Sequence, residues 1–437
     1  MRSDDHLLGR AHSEDGGMTA FGIFLLLVTL MIGGLGLDVT NAIRERTHLQ
    51  VAADSAAHAA LVVRETRSAS EAKAVALDVA DAAMPAAFFG DVLRDGDIQF
   101  GNWDPVAQAF QVDSSSNSAV LINMERVAGR NNAVSTFFLK FAGIGSWDVR
   151  RQSVFETYIP TCFREGFVAQ QEVDVTTGNT YKAGFCIHSQ THVAANNGNT
   201  YEPGVIVSMP DKRDMVIPSD GFTTNPGLQA ALRDGSYQLR IVSRINEIVA
   251  GVQDPNSPHY RSYITSATPV VMDPKSTIDA QWVEGRIHTL DCTKPNQKVQ
   301  AKSGSVQRRG VLVTNCLLQF PEAVTFEDAV IASTNTDAKS IDAAQFFTLG
   351  KDDSCASSGD GQIVTLGGVA FAQSVSFYGG QVIAAKDIDF TSDALGVEGI
   401  SLVSGQRIYG TSTSLIGFCG GAGMENNFVA WYFRMAA

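Results

Sequence analysis

No cysteine precedes Cys162 in this 437-residue chain; the six are Cys162, Cys186, Cys292, Cys316, Cys355 and Cys419. None forms a C-x-x-C pair, which argues against a zinc ribbon or a thioredoxin-like redox motif. No run of Lys and Arg appears, and the formal net charge is −13. A nucleic-acid partner is therefore not expected, because neutralising a phosphate backbone takes clustered cations. G-x-S-x-G, G-x-x-x-x-G-K-[ST] and a G-x-G-x-x-G following a buried strand are also missing. Without a nucleophile elbow or phosphate cradle, the expectation is no cofactor and no enzymatic activity.

What is present begins at the front. A polar leader, residues 1–17, precedes an uncharged apolar run, Met18 to Leu37. At ~1.5 Å per helical residue such a run spans roughly 30 Å, the thickness of a bilayer core. It exceeds the ~7–15 residues of a signal-peptide core, and no A-x-A site follows. A retained single-pass anchor is the reading. Arg2 and Arg10 before the run balance Arg44 and Arg46 after it, so the positive-inside rule does not choose an orientation. The cysteines do. An even number confined to one side fits disulfides in an oxidising space, which places the N-terminus in the cytoplasm and the body in the periplasm. Six cysteines allow 15 pairings, and sequence alone does not choose among them.

Residues 38–158 read as a small α+β domain. An Ala-rich helix carries Ala52, Ala53, Ala56, Ala57 and Ala60; a break near 67–70 precedes a second helix ending at Pro85. Strands follow at 98–101, 107–112, 119–125 and 149–157, with a short helical or docking segment over 134–143. Gly33, Gly34 and Gly36 in the span, together with the Ala face, are the expected helix-packing residues, because small side chains let backbones approach where lipid removes the hydrophobic drive.

Residues 159–437 change character, with many Gly, Asn, Asp and Ser and short strands. Gly361-Gln362-Ile363 aligns with Gly380-Gln381-Val382 and Ile400-Ser401-Leu402, and Val369 to Phe371 aligns with Ile388 to Phe390 and Ile408 to Gly410. A period of about 20 residues predicts a parallel β-solenoid (β-helix); evenly spaced strands of a β-sandwich are the alternative. A looser repeat sets Tyr201 to Ser208 against Phe326 to Ser333, each after an equally spaced cysteine pair, Cys162 with Cys186 and Cys292 with Cys316, and could mark duplicated turns, each with its own disulfide. Leu239, Val242, Ile245 and Ile248 fall on one helical face, within a helical insertion near 227–251.

Metal-like groupings are weak. His188 and His192 sit four apart in strand-and-turn sequence; Asp352, Asp353 and Asp360 lack EF-hand order; Asp113 to Asn117 lacks the last serine of a D-x-S-x-S site. Asp387, Asp389, Lys386 and Arg407 are the only residues that could mimic a polysaccharide lyase centre.

The front of the chain resembles the TadG-like proteins of Tad (Flp) pilus assembly. The residues that carry this are Glu14-Asp15-Gly16-Gly17, the span, then Arg46-Thr47-His48-Leu49-Gln50-Val51-Ala52-Ala53-Asp54-Ser55-Ala56-Ala57, with Phe100-Gly101-Asn102-Trp103-Asp104, Phe137-Phe138, Gly143 and Val149 to Val154 further on. The resemblance covers about residues 14–157. It implies a bacterial inner-membrane protein that assembles with other pilus-assembly or pilin-like proteins and acts in the periplasm as scaffold or adhesion module. Prepilin cleavage after Gly17 would put Gly22, not Glu, at the fifth mature position, so a retained anchor is again expected. The alternative is a membrane-tethered β-helix protein that binds or cleaves surface glycans.

Overall fold

The computed structural model describes residues 15–294, 296–391, 396–411 and 415–437. Most of the proposed leader, residues 1–14, lies outside them. The chain divides into two compact units, one running up to Tyr158 and joined by Trp431–Ala437, the other Ile159–Ala430.

The first unit is built on one helix. α1, Asp15–Arg64, runs 50 residues without a break, a rod of roughly 75 Å at helical rise. Its N-terminal part is long and apolar enough to cross a membrane and almost wholly exposed. One face of its C-terminal part is buried. α2, Ala69–Ala83, starts at a capping box in which Ser68 and Glu71 satisfy each other's backbone amides. It folds back along α1. Ala52, Ala53, Ala56, Ala57 and Ala60 of α1 and Ala72, Ala76 and Ala80 of α2 share one buried cluster. The small residues thus serve close helix approach, but inside the chain; this face of α1 is not available to a partner. Gly33 and Gly36 lie open, whereas Gly34 is covered, since a Cβ there would meet the Phe138 ring.

A five-stranded antiparallel sheet packs on α1. It comprises β1 (Ile98–Asp104), β2 (Ala109–Val112), β3 (Ala119–Arg126) and β6 (Val149–Tyr158), plus a C-terminal strand, Tyr432–Met435. Between β3 and β6 lies a small hairpin of β4 (Val134–Ser135) and β5 (Ser146–Trp147). Gly101 is required in β1, because a Cβ would sit 2.0 Å from the carbonyl oxygen of Gln111 on the paired strand. The C-terminal strand pairs with β6, with Tyr432 opposite Tyr158. This corrects the assignment of the last residues to the solenoid. Trp431–Ala437 completes the first unit's sheet, and the whole second unit is an insertion between two neighbouring strands.

The second unit is a parallel β-solenoid. Its rungs repeat in the register that the sequence period implies. Gly361 pairs with Gly380 and Gly380 with Ile400, while Phe371 pairs with Phe390 and Phe390 with Gly410. The coils together build a 15-stranded and an 8-stranded sheet, and the end rungs Leu232–Asp234 and Ser266–Met272 belong to the larger one. Between them a continuous core carries stacked rings. Phe347 lies 5.5 Å from both Phe320 and Phe371, and Tyr181 stacks 5.0 Å from Tyr201. At one corner Asn199 Oδ1 accepts from the Asn179 amide at 3.0 Å, and Asn225 Oδ1 from the Asn199 amide at 2.8 Å, a buried ladder across three coils.

The winding order is not the chain order. The chain enters at Gly166–Ala169 and winds outward through Cys186–Ser189, Ile206–Met209 and Leu232–Asp234. It then crosses to the far end, restarts at Ser266–Met272 and winds back, until Ser401 to Ser404 pairs with Gly166 to Ala169. Leu228–Ala231 leads directly into the Leu232–Asp234 rung, so the helical insertion is confined to the crossing. There Leu239, Ile245 and Ile248 are buried, Val242 is only partly so, and the helix Ile245–Gly251 packs on Gly361–Thr365 and Thr325–Ser333. The looser repeat is half right. Tyr201 and Phe326 occupy one stacked column. Val207, not Ile206, however, shares a column with Ile331, because the corner before it is one residue longer.

Because each coil buries its inward face only against its neighbours, Phe347→Ala removes the middle of a ring stack. It is expected to destabilise the solenoid by about 3–5 kcal/mol. Thermal unfolding of the full chain should show the lower midpoint.

Candidate functional site

A group of buried carboxylate contacts lies where α1 leaves its apolar stretch. Asp38, the first charge after Leu37, points into a three-amide nest. It accepts hydrogen bonds from the backbone N–H of Phe137 at 2.6 Å, Phe138 at 2.9 Å and Leu139 at 2.7 Å. Burial under this loop opposes ionisation, but the three donors, with Lys140 nearby, outweigh it and hold the carboxyl below its ordinary 3.8. Two turns further on, Glu45 pairs with Arg126 of β3, both largely buried, and Arg126 also donates to the Asn132 carbonyl and lies over the Phe89 ring. Arg130 holds Asp97 through two 2.8 Å hydrogen bonds. The loop after β3 is therefore bound to α1 and to the rest of its unit by buried charge as well as by strand pairing.

All six cysteines are oxidised in disulfides, Cys162–Cys186, Cys292–Cys316 and Cys355–Cys419, with Cα separations of 4.8, 5.2 and 5.8 Å. Both equally spaced pairs are bridges. The third joins the loop before Gly361–Thr365 to the segment that leaves the solenoid.

The weak metal candidates are not brought together. His188 is buried, bonded to Ser208 Oγ at 2.8 Å, and held near a pKa of about 4 by desolvation, hence neutral. His192 lies on the other sheet beside Glu172 at 3.2 Å. Asp360 is buried against Asn426, while Asp353 accepts from the Ala356 amide. Asp113 accepts from Ser115 in its own turn.

Of the lyase-like residues, Asp387, Asp389 and Arg407 lie close together, while the Lys386 ammonium donates to the Thr336 carbonyl. Arg407 contacts Asp387 at 3.3 Å, and Asp389, Tyr409 and Asp174 are neighbours on successive rungs of the 8-stranded sheet. Burial pushes the carboxyls of Asp389 and Asp174 up, helped by Asp387 and Glu172 beside them. Elsewhere a cleft of about 610 Å³ is lined by Lys182, Glu202, Asp352, Tyr378, Glu398 and Phe418, among others.

Residues 166–420, which hold the solenoid, match the family model of a domain of unknown function, DUF7867. The chain belongs to the DUF7867 family. Residues 16–87, the span of α1 and its hairpin with α2, match the TadE/G-like Flp pilus-assembly family. No curated protein and no solved structure matches the chain.

Two features of this DUF7867 protein escaped the sequence reading. The asparagine ladder was signalled by Gly178-Asn179-Thr180-Tyr181 and Gly198-Asn199-Thr200-Tyr201, the same phrase repeated one coil later. The Asp38 nest had only a weak sign, the apolar cluster Phe137-Phe138-Leu139 in a polar surrounding.

Because the folded Asp38 carboxyl lies below its ordinary value, its contribution is complete above pH ~4 and fades as pH falls through the lower folded value. Acid should therefore release the 137–139 loop from α1. The protection of these three amides, measured as exchange relative to the intrinsic rate at each pH, is expected to fall at low pH in the native chain, and in Asp38→Ala to be lost already at neutral pH.

Proposed function

We propose that this chain is a membrane-anchored, non-enzymatic component of a Tad-type (Flp) pilus or secretion apparatus. α1 holds it in the bacterial inner membrane with its N-terminus cytoplasmic, and the solenoid acts in the periplasm as scaffold or adhesion module. One observation carries this reading: the segment that matches the pilus-assembly family is also the segment that contains the apolar span and organises the first unit's core. The three disulfides, all on the C-terminal side of the span, support an oxidising compartment for the body. Partners are other pilus-assembly or pilin-like proteins, and they have the open face around Gly33 and Gly36 to pack on rather than the Ala face. A role without catalysis is supported by how the titratable groups are used. His188 is neutral on a rung-to-rung hydrogen bond, Glu165 caps the Cys419 amide, and Asp387 is paired with Arg407.

A second reading, glycan binding or cleavage by the solenoid, is favoured by one observation. Tyr409 is an exposed ring flanked by Asp389 and Asp174 on neighbouring rungs, with Arg407 two residues before it on the same coil. Sugars stack on such rings while carboxylates take their hydroxyls.

Deletion of the gene tests both. The assembly reading expects loss of piliation, surface adhesion or pilus-dependent secretion, restored by the full chain. Normal piliation, adhesion and secretion, with purified protein binding on a glycan array, would replace it with the second reading.

A further inference from the structure

The loop that Asp38 holds has an unusual surface. Phe137, Phe138, Phe141 and Ile144 are 58, 41, 84 and 44 % exposed, all within one short stretch of chain. The loop is nonetheless well fixed. The β4–β5 ladder closes its base, Thr136 Oγ1 donates to the Ile144 carbonyl at 2.6 Å, Gly143 turns the chain at φ +86°, and the Asp38 nest fixes its start. A rigid loop of exposed rings is costly in water unless something covers it.

Its position along α1 says what does. Phe138 lies on Gly34, inside the apolar run and one turn below Asp38, roughly 6 Å at helical rise. The exposed side chains of Leu30, Ile32, Leu35 and Leu37 continue that apolar surface. Above it the chemistry changes. Arg46, Arg150 and Arg151, with Trp147 and Asp148, line a groove of about 540 Å³ against Val39 and Ile43; Arg150 also reaches Glu125 at 3.3 Å and Asp148 at 3.5 Å, but three cations stand against one carboxylate in the lining. Lys140 stands within 5.9 Å of the Phe141 ring, with a stem long enough to carry its charge upward. Rings at the depth of residues 34–38, then cations at the depth of residues 39–46, follow the order of acyl chains and phosphate headgroups across a membrane interface.

We propose that Phe137–Ile144 is an interfacial insertion loop. Phe137, Phe138, Phe141 and Ile144 enter the leaflet from which α1 emerges, and Arg46, Arg150 and Arg151 meet the lipid phosphates. Bilayer lipid is its ligand. With the Asp38 nest, it fixes the angle at which α1 leaves the membrane, so the first unit stands on two supports instead of one. This rests on α1 as the membrane span.

The test is tryptophan quenching by brominated lipids, using the full chain in lipid nanodiscs. Phe141→Trp reports on the loop, Leu30→Trp on the span and Val106→Trp on the exposed β1–β2 turn; the emission of the four native tryptophans, recorded from the unmutated chain, is subtracted. The added emission of F141W and L30W is expected to be blue-shifted and quenched, F141W more by bromines near the ester end and L30W more by bromines at mid-chain, with V106W unquenched. L30W quenched while F141W is not would overturn the proposal and leave the aromatic surface to a protein partner. Neither quenched would overturn the anchor as well.

Discussion

The solenoid depends on one seam. There the last full rung wound, Ser401 to Ser404, pairs in parallel with the first, Gly166 to Ala169. The pairing joins the start of the first run of coils to the end of the second, so that both advance in the same direction along one stack with one core. It is also what lets an insertion of this length fit between two adjacent strands. Tyr158 and Tyr432 are opposite each other in the first unit's sheet, so the chain must return next to where it left. A solenoid wound from one end to the other would deliver its C-terminus many rungs away. Starting in the middle, crossing once and winding back solves this.

The crossing has its own physical logic. Residues 235–265 lay Leu239, Ile241, Ile245 and Ile248 over a sheet whose outward side chains, including Val311, Val330, Val364 and Ile383, are themselves fully buried. Arg261, buried in the crossing, lies 4.1 Å from the centre of the Phe428 ring and beside Gln362, tying the crossing to the outgoing segment. The cost of the arrangement is two free solenoid ends. These are the short Leu232–Asp234 rung, which carries Arg233 and Asp234, and the Ser266–Met272 rung, interrupted by Pro269 and a register shift. Short, charged or proline-broken rungs resist edge-to-edge pairing with another copy.

How much of this was legible follows from how local each signal is. The rungs from Gly361 to Gly410 were readable because coils adjacent in the stack are there also consecutive in the chain and carry matching side chains. The apolar span and the Ala helix were readable from composition alone, but not where the Ala face would be buried, because close approach looks the same whether the partner is α2 or another protein. The equal spacing of Cys162 with Cys186 and of Cys292 with Cys316 hinted at their bridges; Cys355–Cys419 had no such sign. The seam and the C-terminal strand were not legible at all. They pair segments separated by nearly the whole inserted unit, and a parallel rung looks alike whichever neighbour it takes. The Asp38 nest failed for a related reason, since its donors are distant backbone amides, which no side-chain pattern announces.

Hydrogen exchange followed by mass spectrometry on the full chain tests the start of the winding in the middle of the stack most directly, because protection falls toward the ends of a stack. The account predicts that Gly166–Ala169 and Ser401–Ser404 are among the slowest-exchanging segments of the solenoid, while Leu232–Asp234 and Ser266–Met272 exchange fastest. Rapid exchange at Gly166–Ala169 with strong protection at Leu232–Asp234 and Ser266–Met272 would show a stack wound in chain order and contradict it.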